Sequence, residues 1–123
     1  MRYLTDRKRA TGLGSAKSGV HHFWAMKVSA VALLILIPLF MLTFGSALGD
    51  DYATVTEYYA RPFPALIALL TFIVGFKHFN DGAQVLIEDY VHGLAQKITL
   101  ILVSCLSYAL MAAGVFAVLK IAL

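Results

Sequence analysis

Charge is what this chain lacks over most of its length. Only 14% of its 123 residues are charged, while 60% are hydrophobic. Val28 to Leu48 carries no charged side chain, and neither does Ile98 to Leu119. Each run is longer than the roughly 18 apolar residues that mark a membrane-spanning helix. That pattern excludes an ordinary soluble domain of this size. Cysteine is nearly absent. Cys105 stands alone, so no internal disulfide can form, and a small buried thiol is the ordinary reading. Proline is scarce too. Pro62 and Pro64 fall together, where a helix would begin. Pro38 interrupts the first apolar run; neighbouring groups can satisfy the carbonyl it frees, and it can kink the helix.

Several familiar motifs are also missing. Gly14-Ser15-Ala16-Lys17-Ser18 faintly resembles a phosphate-binding loop, but alanine stands where glycine must precede the lysine, and no strand leads into it. The polar N-terminal segment and the long first apolar run do not fit a cleaved signal peptide, in spite of Gly45-Ser46-Ala47. The basic N-terminus has no aromatic interleaving or nucleic-acid motif, and no internal repeat of the transporter kind is present.

What remains is an all-α membrane protein of three transmembrane helices with no soluble domain. Residues 1–21 form a basic N-terminal segment, 22–48 the first span, 49–62 an outer loop, 63–88 the second span, 89–97 an inner loop and 98–121 the third span. Arg2, Arg7, Lys8, Arg9, Lys17 and Lys27 precede the first apolar run against one acid, Asp6. The positive-inside rule therefore places the N-terminus on the cytoplasmic or equivalent side. Three spans then place the C-terminus outside. The basic segment suits anionic lipid or an acidic partner surface. Tyr52, Tyr58 and Tyr59 fit an aromatic belt. Three helices bury little surface by themselves, so a partner chain is expected.

The informative stretch is Gly75 to Gly93, where ionisable groups enter the second span. Such groups are costly at membrane depth and usually face a bundle interior, a cofactor or a polar path. At 100° per residue, Gly75, His78, Gly82 and Val85 share a stripe. Glycines a turn away on either side leave a shallow dish around the imidazole, where a flat macrocycle can lie with its iron on a ring nitrogen. Asp89 returns to nearly the same face about 16 Å further on, with Tyr90 beside it. The plainer reading is a polar helix end with one hydrogen-bonded histidine. Lys77 and Asp81 are spaced to neutralise each other, without an assigned role. At the start of the first span, His21, His22 and Lys27 are either a solvated helix start or a site for an anionic group, and Trp24 suits the interface. The third span carries Ser104, Ser107, Gly114 and several alanines, which let helices pack closely. Gly93 is placed to cap the second helix.

Two of these places resemble one family. Ile87-Glu88-Asp89-Tyr90-Val91-His92-Gly93 is similar to the D-Y-V pattern of the D-type hydrophobic membrane-anchor subunits of succinate dehydrogenase, respiratory Complex II. That family has its haem-ligand histidine twelve residues before the tyrosine and a glycine four residues after the histidine; here these are His78, Tyr90 and Gly82. The family also has a histidine five or six residues before a basic residue at the inner end of its first helix, as His22 and His21 stand before Lys27. Lys27 departs from the usual arginine and lacks its bidentate fork. Lys77 and Asp81 are more polar than the haem position leads one to expect.

The resemblance implies an anchor that pairs with a C-type (cytochrome b) anchor in one helical bundle. Together they would dock the flavoprotein and iron–sulfur subunits on the inner face of a bacterial or mitochondrial inner membrane. A shared haem b would take His78 as one axial ligand to its iron, with Gly75 and Gly82 packing on it. His21, His22 and Lys27 would hold its propionates. Ubiquinone would meet Tyr90, with Asp89 orienting a partner arginine or supplying protons. The chain would then be a non-flavin subunit of an oxidoreductase that passes electrons from succinate to quinone in the tricarboxylic acid cycle and respiratory chain. The alternatives are a structural or assembly membrane protein with no redox role, a transporter subunit using Lys77, His78 and Asp81 as a proton relay, and a related fumarate-reducing complex. Orientation is open to direct test. A cysteine placed at Ser15 is expected to be labelled only from the inner side, and one at Ala53 only from the outer side; the reverse pattern would remove both the topology and the inner-face docking.

Overall fold

The computed structural model describes residues 5–12 and 18–123. Gly14 to Lys17, including the labelling position Ser15, lie outside the described residues, as do Arg2 and the remainder of residues 1–4. Among the described residues five helices follow in order: α1 Asp6–Thr11, α2 Ser18–Ser46, α3 Tyr52–Tyr59, α4 Pro62–Tyr90 and α5 Gly93–Ala122. The described residues include no strand. α2 from Gly19, α4 and α5 are each long and apolar enough to cross a membrane.

The boundaries have local causes. Arg61 is extended and leads into Pro62 at the first turn of α4. Proline has no N–H to lose there and its φ is already helical. Pro38 sits inside α2, which continues on both sides of it. Residues 49–62 are not simply a loop. Asp51 caps α3 by accepting from the Thr54 amide at 3.4 Å, and its carboxylate also takes the Thr54 hydroxyl. That hydroxyl holds the Asp51 carboxyl below its ordinary pKa. The turn between α4 and α5 is also shorter than residues 89–97. α4 runs through Tyr90, and only Val91 and His92 intervene. Gly93 adopts φ 69° as the first residue of α5. It thus reverses the chain at the start of one helix rather than capping the other, a conformation that costs a Cβ-bearing residue more.

α4 is the middle of the bundle. It packs on α2 along one side and α5 along the other, while those two do not pack on each other. The three helices form a row with two broad faces. At one end α3 folds over α4 and α5, and the small core gathers there: Ala47, Tyr59, Ala68 and Val118, with Phe40, Leu69 and Phe72 against them. Burial raises the pKa of the Tyr59 phenol, with a smaller contribution from Tyr58. Most large side chains elsewhere face outward, among them Leu34, Leu42, Ile101 and Phe116. Helices apolar on all sides belong in lipid or against another chain.

α4 approaches α5 closely where Phe72 meets Gly114. A Cβ on Gly114 would lie 2.5 Å from a ring carbon of Phe72. The ring has little room to yield, because it is stacked near Phe76 at 6.2 Å and edge-on to Phe40 at 6.4 Å. Gly114→Ala should therefore destabilise the bundle by about 1–3 kcal/mol, the usual cost of overpacking. Gly45→Ala, which meets nothing within 4 Å, should not. Thermal denaturation of the purified protein in mild detergent compares the two.

Candidate functional site

α4 has 29 residues and is thus about 43 Å long, against a hydrocarbon thickness of about 30 Å. His78 lies within about 3 Å of its midpoint. Side chains at this depth cannot reach bulk water and must find partners within protein. His78 does so on α2. Its Nδ1 is 2.8 Å from the Ser29 hydroxyl, across 49 positions of sequence. Ser29 in turn reaches the Met26 carbonyl at 2.9 Å. The other ring nitrogen, Nε2, makes no hydrogen bond among the described residues.

His78 also lines an open groove of about 630 Å³ along one face of the row, with Phe79, Gly82, Leu86 and Ile87 of α4 and Thr99 and Val103 of α5. A Cβ on Gly82 would meet nothing within 4 Å, so the groove is open space at this glycine. Gly75 differs. It lines a neighbouring groove with Phe76 and Phe79, and a Cβ there would touch Leu33 of α2 at 4.0 Å. Gly75 thus shares the Phe79 wall but sits closer to the α2 packing.

Lys77 and Asp81 belong to another side of α4. The ammonium contacts both carboxylate oxygens of Asp81 at 2.5 Å. Asp81 is only 4% exposed; an ionised carboxylate at that depth requires such a partner. Lys77 lines a second groove with His21, Trp24, Val28 and Ser29 of α2 and Ile73 of α4. It faces away from the Gly82 groove, about 140° round the helix.

The structure does not bring the three side chains at the start of α2 together. His21 lies in the Lys77 groove. Lys27 is about 120° round from it, with its ammonium 5.4 Å above the Phe23 ring. His22 lies near the α4-facing stripe that contains Ser29, and its buried Nε2 has no hydrogen-bond partner among the described residues. Asp89 and Tyr90 end α4, both exposed, Tyr90 at 79%. The turn behind them is clipped by Gln96, which donates to the Glu88 carbonyl at 3.3 Å. Tyr90 is about 18 Å along the helix from His78. Among the described residues, no three His, Cys, Asp or Glu side chains gather as a metal cluster. An iron held in a macrocycle would need only one ligand atom from this chain, and His78, which lines the open groove and makes its hydrogen bond through Nδ1, keeps a ring nitrogen for that need. Ser29 is the partner of His78 that sequence reasoning missed. Its link to His78 depends on the register of two antiparallel helices, which no local motif encodes.

Residues 1–119 match the model of a family described as the succinate dehydrogenase/fumarate reductase transmembrane subunit. A succinate dehydrogenase hydrophobic membrane anchor subunit from Paracoccus denitrificans is 46% identical over 123 residues, covering 100% of this chain and 95% of that protein. One from Rickettsia conorii is 30% identical over 96 residues, covering 77% and 76%. A succinate dehydrogenase membrane anchor subunit from Reclinomonas americana is 30% identical over 80 residues, covering 63% and 67%. No solved structure matches the chain.

The ion pair beside His78 yields a thermodynamic prediction. Lys77→Met leaves the Asp81 carboxylate buried without its cation, which typically costs about 3–5 kcal/mol. Because the Lys77 side chain is 47% exposed, the lower end is expected. Lys77→Met combined with Asp81→Asn should recover most of the loss. Equal denaturation temperatures for the single and double variants would show that the pair contributes nothing.

Proposed function

Since the chain belongs to the succinate dehydrogenase/fumarate reductase transmembrane subunit family, we propose that it anchors a succinate:ubiquinone oxidoreductase in the membrane and contributes to its haem and quinone sites. The observation that carries this reading is the His78 ring, held on α2 through one nitrogen and bordering an apolar groove on its other side. Phe79 and Leu86 beside it are exposed. They offer an apolar face on which a C-type anchor would seat. The basic N-terminal segment supports placing the N-terminus and the Asp89–Tyr90 end on the inner side. There the iron–sulfur and flavoprotein subunits would dock.

His78 Nε2 would be this chain's ligand to a b-type haem. Such a haem, when bound, supplies a one-electron centre whose potential follows its axial ligands. Gly82 would leave room for the macrocycle. His22, with its unpartnered nitrogen, suits a propionate better than His21, which borders the opposite groove. Lys27 would have to leave the Phe23 ring to reach one.

At the end of α4 the chemistry is different. Quinone reduction takes two electrons and two protons, so the site needs a donor to oxygen as negative charge develops there. The exposed Tyr90 phenol can donate in its neutral form. Asp89 next to it can orient a cation of the partner anchor or relay a proton. A second reading has a specific observation in its favour. The Ser29–His78 contact is by itself a sufficient helix–helix hydrogen bond for a purely structural anchor. It engages only one ring nitrogen, however, and gives no purpose to the groove.

Tyr90→Phe deletes a hydroxyl and keeps the ring. A hydrogen bond to a neutral partner is worth about 0.5–1.5 kcal/mol, and more as charge develops. Succinate–quinone turnover should fall several-fold or more in the assembled complex. Succinate oxidation by a soluble dye, which takes electrons before the membrane, should persist. A folding defect would lower both together. Full quinone turnover with normal inhibitor sensitivity would remove Tyr90 from the site and make the Asp89–Tyr90 pair a docking feature.

A further inference from the structure

A histidine can bind iron through Nε2 only if that nitrogen is unprotonated, so the proton must reside on Nδ1. What fixes the tautomer is the hydrogen bond made by the nitrogen that does not bind metal. For His78 that bond goes to Ser29, at 2.8 Å. A hydroxyl has one proton to give and lone pairs to accept with. The Ser29 oxygen is 2.9 Å from the Met26 carbonyl, which can only accept. If the hydroxyl proton goes to Met26, the ring nitrogen must be the donor in the Ser29–His78 contact.

We propose that Ser29 is a positioning residue for the His78 ring: Nδ1–H donates to Oγ of Ser29, Oγ–H donates to the Met26 carbonyl, and Nε2 is left as the ligating atom. The inference rests on the haem reading above and specifies how this chain prepares its half of the site. The chain of two hydrogen bonds runs in one direction, from α4 into the backbone of α2, and each bond polarises the other. It does two things. The ring is held against rotation about its bonds to α4, and the geometry of an imidazole directs Nε2 away from Ser29. Electron density is also pushed toward the ring, which makes Nε2 a stronger donor and favours the oxidised iron.

The small residues around the contact allow this. Ser29 and Ala32 of α2 line the α2–α4 groove, and close helix approach is what brings a hydroxyl on so short a side chain within reach of the imidazole. Threonine could replace the serine and keep the chain of bonds. Alanine would leave Nδ1–H without its acceptor at a depth where water is excluded.

The test uses the assembled complex and reads the haem rather than turnover. Redox titration and low-temperature EPR are compared for the unmutated complex, Ser29→Ala and Ser29→Thr. The inference predicts that Ser29→Ala raises the midpoint potential and changes the ferric g values, while Ser29→Thr leaves both as in the unmutated complex. Unchanged potential and g values in Ser29→Ala overturn it. Equal shifts in the alanine and threonine variants also overturn it, because they would report packing rather than the hydroxyl. If Ser29→Ala does not assemble, Ser29→Cys has nearly the same shape and is a weak acceptor. A rise in potential supports the inference, and an unmutated potential overturns it. These outcomes are separate from failure of the haem reading, which shows as an unmutated complex with no b-type haem or as a spectrum indifferent to His78→Ala; that failure takes the inference with it.

Discussion

The cost of a polar group far from water governs this structure. α4 places Lys77, His78 and Asp81 near the middle of a membrane-crossing helix, and each must be satisfied within protein. Lys77 and Asp81 satisfy each other on one side of the helix. His78 uses Ser29 on another. The row-like arrangement follows from this. α4 needs a neighbour on the His78 side, and α2 supplies one. α5 packs on α4 where Phe72 meets Gly114. α2 and α5 have no comparable polar burden and present leucine, isoleucine and phenylalanine outward.

The same cost explains why the chain is unfinished as a single molecule. Its core is small and lies at the α3 end. The half that carries His78 has grooves on both faces and few buried apolar side chains. The C-type anchor proposed as its partner would complete the bundle. The face with Gly82, Phe79 and Leu86 is open where a cofactor and a partner helix would fit, whereas the face with Lys77 carries the self-neutralised pair.

Much of the fold was legible in the sequence, since two long uncharged runs, Val28 to Leu48 and Ile98 to Leu119, each point to a span, and the shorter uncharged run Phe63 to Phe76 extends into a third. The resemblance carried by His78, Gly82, Asp89 and Tyr90 led to the family that the comparison with known anchors bears out. Other features were not legible. α3 was read as loop, because its stabilisation comes from the Asp51 cap and from burying Tyr59 on Ala68 and Val118, residues distant in sequence. Gly93 was read as a cap for the second helix, but opens the third. The grouping of His21, His22 and Lys27 rested on proximity in sequence. Helical rotation sends their side chains to different sides of α2. Ser29 went unnoticed for the converse reason, as its meaning lies wholly in a contact across two helices.

In the proposed function, His78 joins helix packing to redox chemistry. The reduced-minus-oxidised optical spectrum of the complex purified with His78→Ala tests it most directly. A b-type spectrum is expected in the unmutated complex and is abolished or displaced in the variant, while the catalytic subunits still co-purify and still reduce a soluble dye. A variant complex with an unaltered spectrum and potential would contradict it and leave His78 as a packing residue alone.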